Sequence, residues 1–318
     1  MTNAAAMAAL QTLRTIDGNL ETTQNKISSG YRVQTAADNA AYWSIATTMR
    51  SDNKALSTVS DALGLGAAKT DTAYTGLDSS ISVIEDIKTK LVAAREPGVD
   101  KTKINSEIVE LKAQLTSVSQ SASFSGENWL YNSSTTAAGT KEIVASFNRS
   151  STGEVSVATL QFDTGASTMI DTQDASRGAL TKSVQVSQPQ NGTTSMTSAT
   201  YYLINASSST SAAGSEVTLT TGTSDHDIDG MISAVDAMLE NMTSVASNLG
   251  AINKRIDMQD SFVSDLMDVI NKGIGRLVDA DMNQESTKLK ALQTQQQLGI
   301  QSLSIANTNS QNILSLFK

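Results

Sequence analysis

At 318 residues the chain has room for about two domains of ordinary size, and its 39% hydrophobic content is enough for a buried core. Its 23 basic and 32 acidic residues leave a net charge of −9 with no basic block, which argues against nucleic-acid binding. Zero cysteines exclude disulfides, thiolate catalysis and Cys-ligated metals, and a single histidine argues against a His-built metal site; neither an enzyme nor a resident cofactor is expected.

The start, Met1-Thr2-Asn3-Ala4-Ala5-Ala6-Met7, lacks the basic region of a cleaved signal peptide, the first charge being Arg14. No apolar run approaches the ~18 residues of a membrane span, so no membrane insertion is expected. A secreted chain of this kind needs an export route independent of such a signal.

Periodicity is the clearest signal along the chain. Ala6, Ala9, Leu13, Ile16, Leu20, Thr23 and Ile27 follow the alternating three-and-four spacing of a coiled-coil seam, and Gly30 is placed to end that helix. Leu56, Val59, Leu63, Ala73, Leu77, Ile84, Ile87 and Leu91 hold a second register, with Gly64 and Gly66 as weak points and Pro97-Gly98 as the stop. A third helix carries Ile104, Ile108, Leu111, Leu115 and Val118 on one stripe and ends before Phe124-Ser125-Gly126.

From about Thr136 to Ser224 the helical period disappears and Ser, Thr and Gly dominate. Short runs at Ile143 to Phe147, Val155 to Phe162, Thr200 to Ile204 and Val217 to Thr220 read as strands of a small β-rich insertion. Asp225-His226-Asp227-Ile228-Asp229 follows, its carboxylates favouring a helix N-terminus over a metal site. Ile228, Met231, Val235, Met238, Met242, Val245, Leu249, Ile252, Ile256, Gln259, Val263, Leu266 and Ile270 then keep one register, a helix of roughly 44 residues and about 66 Å. Such a rod needs the helices of the first half as partners, which pairs the two ends of the chain.

After Lys290 no charge occurs until Lys318, yet Gln293, Gln295, Gln296 and Gln297 forbid a membrane reading. Leu289, Leu292, Leu303, Ala306 and Ile313 form one stripe, widened by Leu298, Ile300, Ile305, Leu314, Leu316 and Phe317. Apolar stripes of this extent mark a protein–protein interface. Ala6, Leu10, Leu13, Ile16, Leu20, Ile27, Leu289, Leu292, Leu303, Ile305, Ile313 and Leu316 are the expected subunit-interface residues, ordering on self-association. For the central runs an intramolecular bundle is the preferred reading.

Three stretches carry a resemblance. Ser28-Ser29-Gly30-Tyr31-Arg32-Val33 with Ala36-Ala37-Asp38-Asn39-Ala40-Ala41, Ile45-Ala46 and Met49-Arg50 resembles the N-terminal signature of bacterial flagellins. Leu249-Gly250-Ala251-Ile252-Asn253-Lys254-Arg255-Ile256 with Asp279-Ala280-Asp281, and the tail Ser310-Gln311-Asn312-Ile313-Leu314-Ser315-Leu316-Phe317, are similar to the family's other end. Tyr42-Trp43 looks most like the rhizobial, alphaproteobacterial type.

The resemblance implies a mainly α fold with a small β-rich insertion. Terminal coiled-coil helices (1–35 and 281–318) would line an inner tube, a long helical rod (36–130 and 226–280) would surround it, and a β domain (131–225) would lie outside. It implies a subunit that self-assembles into the extracellular flagellar filament used for swimming, with a hook–filament junction protein as the alternative. Implied partners are further copies of the chain, sister flagellins, the flagellar type III export apparatus with its chaperone, and hook-associated and cap proteins. Arg32, Asp38, Arg50, Arg255, Arg276, Asp279 and Asp281 lie within or beside the matching motifs. They either lock subunit contacts and the join of tube to rod, or are solvated helix charges worth ~0–1 kcal/mol a pair.

Overall fold

The computed structural model describes residues 4–189, 196–206 and 210–315. Six helices and nine strands follow in order: α1 (Ala4–Ser29), α2 (Ala40–Ala94), α3 (Lys101–Ser121), β1 (Ser123–Phe124), β2 (Glu127–Asn128), β3 (Tyr131–Asn132), β4 (Thr140–Arg149), β5 (Val155–Asp163), α4 (Thr164–Ser167), β6 (Ile170–Asp171), β7 (Val184–Pro189), β8 (Met196–Tyr202), β9 (Ser215–Glu216), α5 (Asp225–Val278) and α6 (Met282–Ser315). The chain divides into two units, residues 1–55 with 265–318, and residues 56–264. α2 and α5 each supply a segment to both.

Side-chain caps set the helix ends. Gly30 adopts φ +75° after α1 and its N–H donates to the Lys26 carbonyl, the left-handed stop that only a residue without a Cβ takes easily. The Asn39 side chain accepts from Tyr42 N–H at the start of α2, and Asp100 accepts from Thr102 and Lys103 N–H at α3. At α5, Asp227 N–H donates to Ser224 Oγ (3.2 Å) while Ser224 N–H donates back to the Asp227 carboxylate (3.3 Å), a capping box with Asp in the third position. Asp281 accepts from Asn283 and Gln284 N–H and starts α6.

In the unit of residues 56–264 the expected stripe of α2 is the core: Leu56, Val59, Leu63, Ala73, Leu77, Ile84, Ile87 and Leu91 are all buried. The α5 stripe from Ile228 to Leu249 is buried with it. Polar rungs tie the two antiparallel helices, Ser60 donating to Asp260, Asn253 to Asp71, and Arg95 to Asp229. α5 has 54 residues, longer than the spacing suggests, since it starts at Asp225 and runs past Ile270 through Gly273 and Gly275 to Val278.

α3 departs from its expected stripe. Leu111 and Val118 are half-buried, while Lys112 and Ser119 turn inward. The Lys112 ammonium donates to Glu216 (2.8 Å) and to the Val217 carbonyl (2.6 Å), so a charge can occupy a core position. Burial pushes its pKa below the usual lysine value, and Glu216 opposes that shift.

The β-rich part comprises four small sheets: β1–β2 antiparallel, β3–β6 parallel, a long β4–β5 hairpin, and β7–β8–β9. The pattern missed β7, whose alternating Val184-Gln185-Val186-Ser187-Gln188 pairs with β8. The expected strand from Val217 to Thr220 is corrected. The ladder ends at Glu216, and Val217 and Leu219 instead plug into α3, with Asn105 accepting the Leu219 N–H. The hairpin lies on α2 at Gly66, where an added Cβ would come 2.3 Å from Ile143 Cγ2. Trp129 stacks on Phe162 with ring centroids 5.1 Å apart. Gly66, a weak point in the helical pattern, is thus where a sheet approaches the helix closely.

The unit of residues 1–55 with 265–318 holds a small core of Val33, Ala46, Ile274 and Val278. Its loops are joined by a bridge between Tyr31 and Asp279, with Arg32 N–H donating to the Val278 carbonyl and Ala280 N–H to that of Gly30. The rest of this unit is the α1–α6 pair.

Candidate assembly surface

α1 and α6 pack along one seam. On α1 the positions Ala6, Ala9, Leu13, Ile16, Leu20, Thr23 and Ile27 face inward, each half-buried or buried. On α6 the facing positions are Glu285, Leu289, Leu292, Gln296, Gly299, Leu303 and Ala306. Leu13 is a knob over Gly299, where a Cβ would stand 3.0 Å from Leu13 Cδ2. Gln296 donates to Asp17 (2.7 Å), and Lys26 pairs with Glu285 at 3.9 Å.

This seam is thin. Alanine, glycine, threonine, glutamine and glutamate occupy half of it, and Thr23 Oγ1 and Glu285 Oε2 are buried without a hydrogen-bond partner among the described residues. Even its best-covered leucines retain some exposure, Leu13 9% and Leu292 7%. Ridges of apolar side chains stand outside it: Met7 and Leu10 on α1, and Leu298 (59%), Ile300 and Ile305 (66%) on α6. The apolar terminal residues therefore separate into two sets. Ala6, Leu13, Ile16, Leu20, Ile27, Leu289, Leu292 and Leu303 join the chain's own two helices, whereas Leu10 and Ile305 face solvent. Ile313 lies in α6, its side chain outside the described residues, and Leu316 lies outside them altogether.

The seven polar positions separate as well. Arg32 donates to the Arg276 and Leu277 carbonyls (3.3 and 2.9 Å), a cation on the carbonyl end of α5. The Asp38 carboxylate takes the N–H groups of Thr35 and Gln34, which hold its pKa below the usual carboxylate range. Arg50 sits 5.2 Å over the Tyr31 ring, and Asp281 caps α6. Arg255, Arg276 and Asp279 are exposed, and their side chains have no ionic partner among the described residues. The three that have no such task carry no sequence signal that distinguishes them from the other four.

His226 lies in the first turn of α5, where the neighbouring Asp225 pairs with Arg95 and Lys101. Among the described residues no group of three His, Cys, Asp or Glu side chains is placed to hold a metal, and no helix is long and apolar enough to cross a membrane.

Comparison with known proteins gives the family. Residues 1–135 match the bacterial flagellin N-terminal helical region, and residues 232–317 match the bacterial flagellin C-terminal helical region. The chain is 64% identical to flagellin C of Rhizobium meliloti (strain 1021), covering all of this chain and 98% of that protein. It is 46% identical to flagellin A of the same strain, covering all of this chain and 99% of that one. It is 42% identical to a flagellin of Brucella melitensis, again over its full length and 98% of the relative. With both terminal regions matched and relatives aligned end to end, the chain belongs to the bacterial flagellins, as a structural subunit of the extracellular flagellar filament used for motility.

Proposed function

We propose that the α1–α6 pair is the polymerisation element of this subunit. In this reading residues 1–35 and 281–318 form the inner tube of the filament, residues 36–130 and 226–280 a helical rod, and residues 131–225 an outer domain. The supporting observation is the thin seam flanked by exposed ridges: Leu10, Leu298, Ile300 and Ile305 remain in solvent although their helices are already paired. The seam residues Ala6, Leu13, Ile16, Leu20, Ile27, Leu289, Leu292 and Leu303 hold the pair so that Leu10 and Ile305 meet neighbouring copies, with Ile313 and Leu316 continuing the contact. Arg255, Arg276 and Asp279 make polar contacts between subunits, and Arg32, Asp38, Arg50 and Asp281 brace the join of tube to rod.

The contacts are heterologous and do not close, so growth is helical. Burial of the ridges contributes ~25 cal/mol per Å² against about 1–2 kcal/mol per residue for ordering backbone, and a monomer stays soluble until a filament end offers a preformed surface. The chain works as a structural element without chemistry of its own. Its partners are further copies, sister flagellins, the export apparatus with its chaperone, and hook-associated and cap proteins. Export proceeds without cleavage of a signal peptide.

Negative-stain electron microscopy of seeded monomer tests the central claim, beside a variant lacking Met1 to Ile27 and Leu289 to Lys318. Long filaments from the intact chain alone are expected. Filaments from the truncated chain would show that the interface lies elsewhere.

A further inference from the structure

α5 carries a second periodic row that its own unit leaves uncovered. Within residues 56–264, Ile252, Ile256, Gln259 and Val263 form the inward row, with Ile256 and Val263 buried. Ala251, Arg255, Met258 and Phe262 repeat the same four-three-four spacing on another side, and all four are exposed. A solvated helix face is ordinarily polar. Here Met258 is 56% and Phe262 58% exposed, and Arg255 has no ionic or hydrogen-bond partner among the described residues.

A matching row lies on α2 in the same unit. Asp78, Glu85 and Val92 recur at seven-residue intervals and are exposed, and neither carboxylate has an ionic partner among the described residues. One row is basic and apolar, the other acidic and apolar, and both have heptad spacing. Neither covers the other within the chain. In a filament built from one repeating chain, two different patches of the same molecule can meet across every contact.

We infer that the Arg255–Met258–Phe262 row of one subunit packs against the Asp78–Glu85–Val92 row of a second copy, as a coiled-coil contact between rods. Phe262 and Met258 are the anchors, and Arg255 reads Glu85. This contact rests on the filament reading above and adds a second interface to that of the terminal helices.

The absence of cysteine makes a single-site reporter clean. Phe262→Cys is labelled with a maleimide in monomer and in seeded filament, beside Thr152→Cys at the turn between β4 and β5. Both react alike in the monomer. Filament formation is expected to slow labelling at 262 at least about tenfold and leave 152 unchanged. If Phe262→Cys does not polymerise, Met258→Cys, which keeps the phenylalanine, is read in the same way.

Equal labelling at the reporter site in well-formed filaments overturns this inference and leaves the terminal-helix reading intact; no filaments from the unaltered chain takes down both. Arg255→Glu is expected to slow elongation about thirtyfold, roughly the loss of one interface hot spot, with Glu85→Arg in the same chain restoring it. Protection at 262 without that restoration overturns the α2 row as the occupant.

Discussion

The α1–α6 pair and the bundle of residues 56–264 use the same heptad spacing and reach opposite outcomes. In the bundle, Leu63, Leu77, Ile84, Ile87 and Leu91 are fully buried, because α2 is covered by α5, by α3 and by the β-rich part. In the pair the helices pack chiefly on each other among the described residues, and a two-helix contact covers only a narrow strip of each cylinder. The remaining apolar residues, Leu298, Ile300 and Ile305 among them, stay in water. A stripe thus specifies a helix face that requires cover. The number of neighbours decides whether the chain itself or another copy provides it.

The sharpest way to break this comparison is to change the ridges alone. Replacing Leu298, Ile300 and Ile305 together by asparagine is expected to abolish seeded elongation. The melting curve of the monomer should stay within a degree or two, since exposed side chains away from special features contribute little to folding. A large fall in melting temperature would mean that the ridges are covered within the monomer.

Core truncation comes next. Leu77→Ala is expected to cost about 2–5 kcal/mol, while Leu13→Ala in the thin seam costs roughly a third of that and shows mainly in polymerisation. Chemical denaturation of both variants separates the two. Equal losses would place the seam on a par with the core.

Two glycines of α2 sharpen the comparison further. At Gly76 an added Cβ would meet Leu130 Cδ1 at 2.7 Å and Ala122 Cβ at 2.8 Å, both on packed neighbours, whereas at Gly64 nothing lies within 4 Å. Gly76→Ala should destabilise by about 1–3 kcal/mol. Gly64→Ala should stabilise by roughly 1 kcal/mol through helix propensity, and thermal melting reads the opposite signs.

The smallest effect expected is that of pH. Lys69 beside Glu127 and the backbone N–H groups at Asp38 and Asp174 hold these carboxylates below their usual range, with a side-chain hydroxyl leading at Asp174. A depressed folded pKa gives stability that is complete above the unfolded value of about 4 and is lost as pH falls through the folded value. Melting temperature should therefore be flat from neutral pH to about 5 and decline below about 4. Glu127→Gln should reduce that decline. An unchanged acid limb in this variant would assign it to other groups.

Much of this arrangement is legible in the residues alone. The heptad positions of α1, α2 and α5, the stop at Gly30, the acidic start of α5 and the charge-poor tail follow from local rules, in which spacing selects a helix face and a cap selects its end. The same rules fail at Lys112, which reads as a solvated charge until Glu216 and Val217 arrive from a distant strand and satisfy it. They fail at Val217 and Leu219, whose β-like composition is used to fill a helix surface instead of a ladder. The register does set Leu13 and Leu292 apart from Leu10 and Ile305, but it could not say which of the two sets the chain covers for itself, since both are apolar rows on amphipathic helices. Secondary structure and the faces that need cover were set by the sequence through interactions a few residues apart. Which faces are covered within one chain was decided only by the tertiary structure, because that depends on partners up to about 280 residues away, as Gln296 and Asp17 are.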